Sequence, residues 1–202
     1  MTALLGEVSG KRVLDAGCAA GWYAMWLADR GATVTALDVS PKMVEKTRAR
    51  VGGKAVVLVA DLRQPLDVLD DGSQDIVLSS LVLHYIKDWN KVLREFHRKL
   101  AAQGRLVFSV HHPFMDYTQY KQKNYFTTTL LHDEWNAGGK MVKVDFYRRP
   151  MQQIINPLAR SGFIIEEMVE PQPTEEFRRL NPEWYAKLMT EPWFLCLRAR
   201  KA

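Results

Sequence analysis

The sequence predicts a doubly wound α/β fold, with a mostly parallel sheet of seven strands and an antiparallel strand at the C-terminal end. Short β-branched runs alternate with helical patterns from Lys11 to Gly104, which is typical of βαβ units. The length of 202 residues suits one domain, so we expect a single domain over residues 1–202. Hydrophobic residues make up 47% and charged residues 25%, as in ordinary globular proteins.

The individual elements follow from apolar runs and from the residues that end helices. The runs predict strands at 12–16, 33–37, 55–60, 75–79, 105–110, 163–169 and 193–199, the last two pairing antiparallel. A first helix runs from Trp22 to a stop at Gly31, and a second starts after Ser40, a favoured N-cap residue. A third carries an apolar stripe from Trp89 to Leu100, and we expect Gly104 to end it.

An insertion at about 112–149 separates the fifth strand from the following helix and is rich in aromatic residues. Loops of this length are usually functional in compact domains, so we expect this aromatic loop to cover a substrate. The simpler alternative is that its aromatic side chains pack over the sheet. Residues 112–150 hold six Lys or Arg against four Asp or Glu, which is too small an excess to predict nucleic-acid binding.

Composition excludes several other classes of protein. The formal net charge of +5 permits an anionic partner without requiring one. Cys18 and Cys196 belong to no cluster with metal-ligand spacing, and we predict no metal site. There is no secretory leader and no apolar run long enough for a membrane span, so we expect a cytoplasmic protein. The oligomeric state stays open, a homodimer included.

The most informative segment is the small-residue turn between the first strand and the first helix. Gly17 and Gly21 let a ligand approach the backbone and permit positive φ. The dinucleotide fingerprint would need glycines where the chain has Ala19 and Trp22, and the P-loop pattern is also absent. Asp15, just before the turn, would repel a pyrophosphate but suits a cationic amino group. The turn therefore disfavours phosphate ligands.

This turn resembles motif I of the class I S-adenosylmethionine-dependent methyltransferases, usually written D-x-G-C-G-x-G. Gly17, Cys18 and Gly21 match, whereas Ala19 replaces the middle glycine. The replacement costs little if Ala19 has negative φ. The resemblance implies a Rossmann-like fold, with S-adenosylmethionine as cofactor and S-adenosylhomocysteine as its product. It extends over residues 10–111, in the small-molecule branch of methyltransferase type 11 and ubiquinone-biosynthesis-like enzymes.

Two acidic residues fall where a nucleoside would need them. Asp38 ends the second strand, 23 residues after Asp15, where a carboxylate can accept hydrogen bonds from both ribose hydroxyls. Asp61 resembles the acid that accepts the adenine amine in this family, with Leu62 donating its backbone amide. Alternatively, each acid only caps the turn that follows it.

The remaining cofactor positions are implied by the same resemblance. Val39 and Met43 would cover the adenine face, and Ala60 lies beside Asp61. The segment from Asp75 to Tyr85 is similar to motif IV, from which we choose Ser79 for a backbone contact with the methionine portion.

The acceptor site is expected at the carboxyl ends of the fourth and fifth strands, where open α/β sheets bind ligands. His84 and His111 are the candidate general bases, although an ordinary buried histidine is the simpler interpretation of His84. Tyr85, His112 and Tyr147 are the candidate substrate-binding residues. Residues 146–150 and 159–163 also look like bacterial members of the small-molecule branch.

Two other functions stay open at this point. A non-catalytic S-adenosylmethionine-binding module or partner subunit would fit the altered Ala19. An RNA or protein methyltransferase is disfavoured, because the fourth strand leads into Ser79-Ser80-Leu81 and not into an N-P-P-Y-type turn. Only about a dozen residues precede the first strand, whereas family members usually carry helices there. We therefore expect a truncated start, a more open cofactor site, or closure by another segment or subunit.

Overall fold

A computed structural model describes residues 1–137 and 139–202. The strands are β1 Arg12–Ala16, β2 Thr33–Asp38, β3 Ala55–Val59, β4 Gln74–Ser80, β5 Leu100–His111, β6 Thr129–Ala137, β7 Lys140–Arg148, β8 Phe163–Val169 and β9 Phe194–Lys201. The α-helices are α1 Thr2–Leu5, α2 Trp22–Ala28, α3 Pro41–Val51, α4 Trp89–Lys99, α5 Pro113–Gln119, α6 Gln152–Arg160, α7 Glu175–Leu180 and α8 Pro182–Leu188. None of the helices in these two ranges is long and apolar enough to cross a membrane.

Seven strands form one sheet in the order β3-β2-β1-β4-β5-β9-β8. The strands from β3 to β5 are parallel, and β9 is antiparallel to both β5 and β8. This confirms the predicted fold class and the antiparallel pairing of the last two strands. The order reverses between β1 and β4, so the carboxyl ends of these two strands form the crevice where doubly wound sheets bind ligands.

The sheet is buried on both faces, which explains why its central strands are continuous apolar runs. Successive residues of β1 point to opposite sides, so that Val13 packs with Leu27 of α2 and Leu14 packs with Phe96 of α4. All four side chains are fully buried. Helix α3 begins where predicted, with the Ser40 hydroxyl accepting the Met43 amide hydrogen.

The prediction that Gly104 ends α4 is wrong. The helix stops at Lys99, and Leu100 already has extended backbone and pairs with Gln74 of β4. Its last residue is held in place because the buried Lys99 ammonium donates to the Leu69 carbonyl and lies 2.9 Å from an Asp71 carboxylate oxygen. Gly104 itself lies inside β5.

The insertion is also more regular than the predicted loop. It begins with α5, and β6 and β7 then form a separate two-stranded antiparallel hairpin. The fully buried Phe146 of β7 packs its ring against those of Trp135 and Tyr120. Some aromatic side chains of the insertion therefore serve packing, in line with the simpler alternative to a substrate-covering loop.

Candidate functional site

The turn between β1 and α2 is held to the end of β2 by backbone hydrogen bonds. The amides of Gly17 and Cys18 both donate to the Leu37 carbonyl, at 2.8 and 2.9 Å. Gly17 has a φ of 91°, and a Cβ added there would lie 2.3 Å from the Val82 side chain. Glycine is therefore required at this position, and the turn packs directly against the segment that follows β4.

From the sequence, the alanine at position 19 was expected to cost little if its φ were negative. Its φ is instead 48°. A left-handed conformation costs an L-residue about 1–2 kcal/mol. Two hydrogen bonds hold it: its amide donates to Asp38 Oδ2 at 2.9 Å, and its carbonyl accepts from the Thr47 hydroxyl at 2.7 Å. Thr47 also lies beside the Cys18 thiol, whose pKa burial raises to about 12. Cys18 is thus a packing residue of the turn.

The Asp38 carboxylate links the turn after β1 to the start of α3. One carboxylate oxygen accepts the Ala19 amide and the other accepts the Ser40 amide, both at 2.9 Å. Asp38 therefore caps the turn that follows β2, as the alternative interpretation predicts. Each oxygen keeps a further lone pair, and the carboxylate is only half-buried, so ribose binding stays a prediction.

Asp15 is the most unusual group near the turn. The residue is 1% exposed, and its Oδ2 has no hydrogen-bond partner among residues 1–137 and 139–202. Burial raises the pKa of this carboxyl to about 7, a hydrogen bond from the Ala24 backbone opposes the rise, and Asp38 adds to it. An unpartnered buried carboxylate beside a glycine turn is suited to a cationic amino group such as that of S-adenosylmethionine.

The predicted adenine-binding residues lie at the ends of β2 and β3. Val39 is exposed, Met43 and Ala60 are half-buried, and Leu62 is buried. The Asp61 carboxylate binds the Arg63 guanidinium through contacts of 2.7 to 2.9 Å, which hold the pKa of Asp61 below its ordinary value. An adenine amine would have to share this carboxylate with Arg63.

Ser79 is completely buried, and its hydroxyl donates to the Ala16 carbonyl at 3.1 Å. Its backbone contact with the methionine portion of the cofactor stays a prediction. The half-buried residues at the end of β4 are Ser80 and Leu81. Together with Trp22 and Tyr23 of α2 they line a cleft of about 330 Å³ beside the turn.

A small cavity lies under the insertion, at the carboxyl ends of β4 and β5. We call it the β4–β5 chamber; it is lined by His84, Trp89, Val110, His111, Asp116, Tyr147, Arg149 and Ile154. The rings of His84 and His111 stack at 4.3 Å between centroids, with 19° between their planes. The chamber has room for roughly one water molecule.

Several polar atoms of the chamber are buried and have no hydrogen-bond partner among the described residues. These atoms are both ring nitrogens of His84, Nδ1 of His111, Oδ1 of Asp116 and Nε of Arg149. Burial, reinforced by His111 and Arg149, holds the pKa of His84 well below its ordinary value. Burial also lowers the pKa of Arg149 to about 10, so that Arg149 is charged and His84 neutral at neutral pH. Such groups are costly unless a ligand or water binds them.

The three predicted substrate-binding residues differ in their position relative to the chamber. Tyr147 lines the chamber, and the exposed Tyr85 has its ring 4.3 Å from that of His84. His112 is fully buried outside the chamber lining, where Nδ1 accepts the Phe114 amide and Nε2 lies 2.8 Å from Glu170. His111 and His112 are neighbours in sequence, but only His111 faces the chamber.

Sequence reasoning did not identify Asp116, Arg148 or Arg149 as candidates. A signal existed for Arg148, because the period-2 pattern of β7 places it on the same buried face as Phe146. Its guanidinium donates to the carbonyls of Tyr125 and Thr127 and thereby fixes the start of the hairpin. Asp116 and Arg149 carry no comparable signal, because tertiary contacts alone bury them.

Comparisons with known proteins agree with this geometry. The family model for a methyltransferase domain matches residues 14–108. The structure of an S-adenosylmethionine-dependent methyltransferase from Mesorhizobium loti is 31% identical, with a TM-score of 0.80, and the match covers 99% of this chain and 95% of that one. A structure from Listeria monocytogenes, 24% identical over 100% of this chain and 94% of that one, has a TM-score of 0.85 and supports the fold alone.

The chain belongs to the S-adenosylmethionine-dependent methyltransferase family, and S-adenosylmethionine is its cofactor. Among curated relatives, the malonyl-[acyl-carrier protein] O-methyltransferase of Serratia marcescens is 36% identical over 100 residues. That alignment covers 50% of this chain but only 38% of the Serratia enzyme.

Proposed function

We propose that this methyltransferase methylates a small-molecule acceptor bound at the carboxyl ends of β4 and β5. The observation that carries the proposal is the β4–β5 chamber, where buried polar groups without partners lie beneath a folded insertion. A site that excludes water and presents a few polar atoms is typical of small-molecule binding. The Serratia relative is named for a malonyl group on an acyl-carrier protein, and such a small acyl acceptor is consistent with this class.

The cofactor is assigned to the crevice between β1 and β4. When bound, S-adenosylmethionine supplies an electrophilic methyl group on a sulfonium. Asp15 would bind its amino group, because this carboxylate has an unpartnered oxygen beside the turn. Asp38 would accept ribose hydroxyls while it continues to hold the amides of Ala19 and Ser40. Val39, Met43 and Leu62 would surround the adenine.

The acceptor is assigned to the neighbouring strands. The turn and the chamber are adjacent, because Gly17 packs against Val82 and His84 follows two residues later. Methyl transfer requires an acceptor atom aligned with the sulfonium, and its rate depends mainly on orientation and exclusion of water. His111 would orient or deprotonate the acceptor. His84, kept neutral by its surroundings, would act as a hydrogen-bond partner.

Methyl transfer from labelled S-adenosylmethionine tests the proposal directly. The protein is incubated with small-molecule, RNA and protein fractions of a cell extract, and label is counted in each. We expect label in the small-molecule fraction, and its loss when His111→Ala replaces the native chain. Label confined to RNA, or to amino-acid side chains of proteins and not to a carrier-bound acyl group, would overturn the proposal.

Cofactor selectivity is tested separately by calorimetry. We expect saturable binding of S-adenosylmethionine and S-adenosylhomocysteine but not of NAD or ATP, because Asp15 repels phosphates and the phosphate-binding fingerprints are absent. Binding of NAD that S-adenosylhomocysteine does not displace would contradict the assignment of the crevice.

A further inference from the structure

We propose that the acceptor carries a carboxylate and that Arg149, beside the β4–β5 chamber, binds this carboxylate. This inference rests on the proposed function and narrows its acceptor to a chemical class. It follows from three observations: the geometry of Arg149, the balance of charge around it and the donors that remain free.

The guanidinium of Arg149 is held in place by two contacts, and one of its N–H donors has no partner among the described residues. The residue is 5% exposed, its Nη2 donates to the Ile86 carbonyl at 2.7 Å, and its guanidinium lies 4.4 Å from the ring centroid of Trp89. Its Nε is buried without a partner. A guanidinium fixed in this way keeps a donor available for a planar anion, which binds with little loss of side-chain entropy.

The charge of Arg149 is not balanced within its surroundings. None of the ion pairs among the described residues includes Arg149. The carboxylate of the chamber, Asp116, instead lies 3.4 Å from His111 Nδ1. On its other side, Arg149 lines an open groove that also holds Lys87, Asp88 and Arg160. Cations therefore outnumber carboxylates around it, and an anionic ligand would compensate a buried charge that is otherwise costly.

The donors that remain free also limit the anion. A single guanidinium can bind a carboxylate, whereas a tetrahedral phosphate carries more charge and needs more donors. Arg148, the neighbouring arginine, is already committed to the carbonyls of Tyr125 and Thr127. A single available guanidinium therefore favours a carboxylate.

Calorimetry with a matched pair of probes tests the inference on the native chain. Protein saturated with S-adenosylhomocysteine is titrated with butyrate and with butyramide, which have nearly the same size and differ in charge. We expect butyrate to bind at least tenfold more tightly. Equal affinities, or no binding of butyrate, would overturn the inference.

Variants locate the site. Arg149→Met should weaken butyrate binding at least tenfold, and Arg149→Lys should weaken it less, because lysine keeps the charge but not the planar fork. Arg30→Met is the control, since Arg30 also lies over a tryptophan, Trp26 at 4.1 Å, but at the exposed end of α2. Butyrate affinity unchanged in Arg149→Met would count against the inference. If that variant does not fold, the comparison of butyrate with butyramide on the native chain still tests the inference.

Failure of the proposed function would look different. Absence of S-adenosylhomocysteine binding, measured before either probe is added, would contradict the cofactor assignment. Butyrate and butyramide are then titrated into the cofactor-free protein, so that the carboxylate site is judged by itself.

Discussion

The turn after β1 and the β4–β5 chamber lie at the same edge of one sheet but are built differently. The turn is formed by consecutive residues and held by backbone hydrogen bonds to Leu37 and by one oxygen of Asp38, which accepts the Ala19 amide. The chamber is formed by side chains from β5, β7, α4, α5, α6 and the segments after β4 and β7. Five of its polar atoms have no hydrogen-bond partner among the described residues.

The difference teaches where specificity resides in this enzyme. A backbone-built turn depends on glycine and on a few small residues, so it can serve one cofactor whatever the acceptor is. A chamber of separate side chains can change its acceptor by one substitution without disturbing the turn. Substitutions on the two sides should therefore separate cofactor binding from turnover.

The largest expected effect is on the chamber side. His111→Ala should lower turnover of the acceptor by about 100-fold, a typical contribution of a positioned proton-transfer group. The affinity for S-adenosylmethionine should change less than twofold, since His111 lies two strands from the turn. Initial rates and calorimetry measure the two quantities. His132→Ala, on the exposed surface of the hairpin, is the control. A loss of cofactor affinity in His111→Ala would show that the chamber and the turn do not act separately on turnover and cofactor binding.

On the turn side, Asp38→Ala should weaken S-adenosylmethionine binding by about 1–3 kcal/mol, the scale of charge-assisted hydrogen bonds to a ligand. The variant also removes the acceptor of the Ala19 and Ser40 amides. Asp29→Ala removes a surface carboxylate that pairs with Lys54 and should leave affinity unchanged. An Asp38→Ala protein that binds the cofactor normally would mean that the carboxylate serves the turn alone.

The pH dependence of cofactor binding should follow Asp15. A cationic amino group favours the ionised carboxylate, so affinity should be constant above the pKa of about 7 and fall up to tenfold per pH unit below it. Asp15→Asn should bind more weakly and lose this dependence. Calorimetry between about pH 5.5 and 8 measures it, and an identical pH profile in both proteins would refute the role.

The same carboxyl should affect stability in the opposite direction. Its folded-state pKa is raised above its value in the unfolded chain, so ionising it destabilises the cofactor-free fold as pH rises from about 4 to about 7. Asp15→Asn should therefore raise the melting temperature at pH 8 more than at pH 5. Such a result would mean that the group that binds the cofactor costs the empty protein stability.

The smallest effect is expected at Ala19. Glycine should relieve about 1–2 kcal/mol of left-handed strain and cost about 0.5–1 kcal/mol in backbone entropy. Ala19→Gly should thus raise the free energy of unfolding by at most about 1.5 kcal/mol, which denaturant titration can detect. Ala20→Gly, at a neighbouring residue without positive φ, should be destabilising. Destabilisation by Ala19→Gly would show that the two hydrogen bonds of Ala19 already offset its strain.

The sequence predicted the turn side well because its signals are local. Gly17, Asp15 and Asp38 lie at strand ends that β-branched runs and glycines define. The φ of Ala19 could not be predicted, because it depends on hydrogen bonds from Asp38 and Thr47, which α3 and β2 bring to the turn.

The chamber side was predicted only in part. His84, His111 and Tyr147 could be placed at strand ends, but nothing in the sequence distinguishes His111 from His112. The distinction arises because Phe114 and Glu170 engage both ring nitrogens of His112. The partnership of Arg149 with Trp89 and Ile86 joins segments about 60 residues apart in the chain, and no short-range pattern encodes such contacts.

The position of β9 has a consequence for synthesis of the protein. It lies between β5 and β8, so β8 cannot join the sheet before residues 194–201 have left the ribosome. Until then β5 has an unpaired edge of apolar residues, and such edges recruit strands from other chains. Nascent chains that stop before residue 194 should therefore be bound by chaperones, and release should coincide with the arrival of β9. Cysteine-accessibility measurements at Cys196 would follow that final step, because Cys196 of β9 is buried opposite Ser109 of β5.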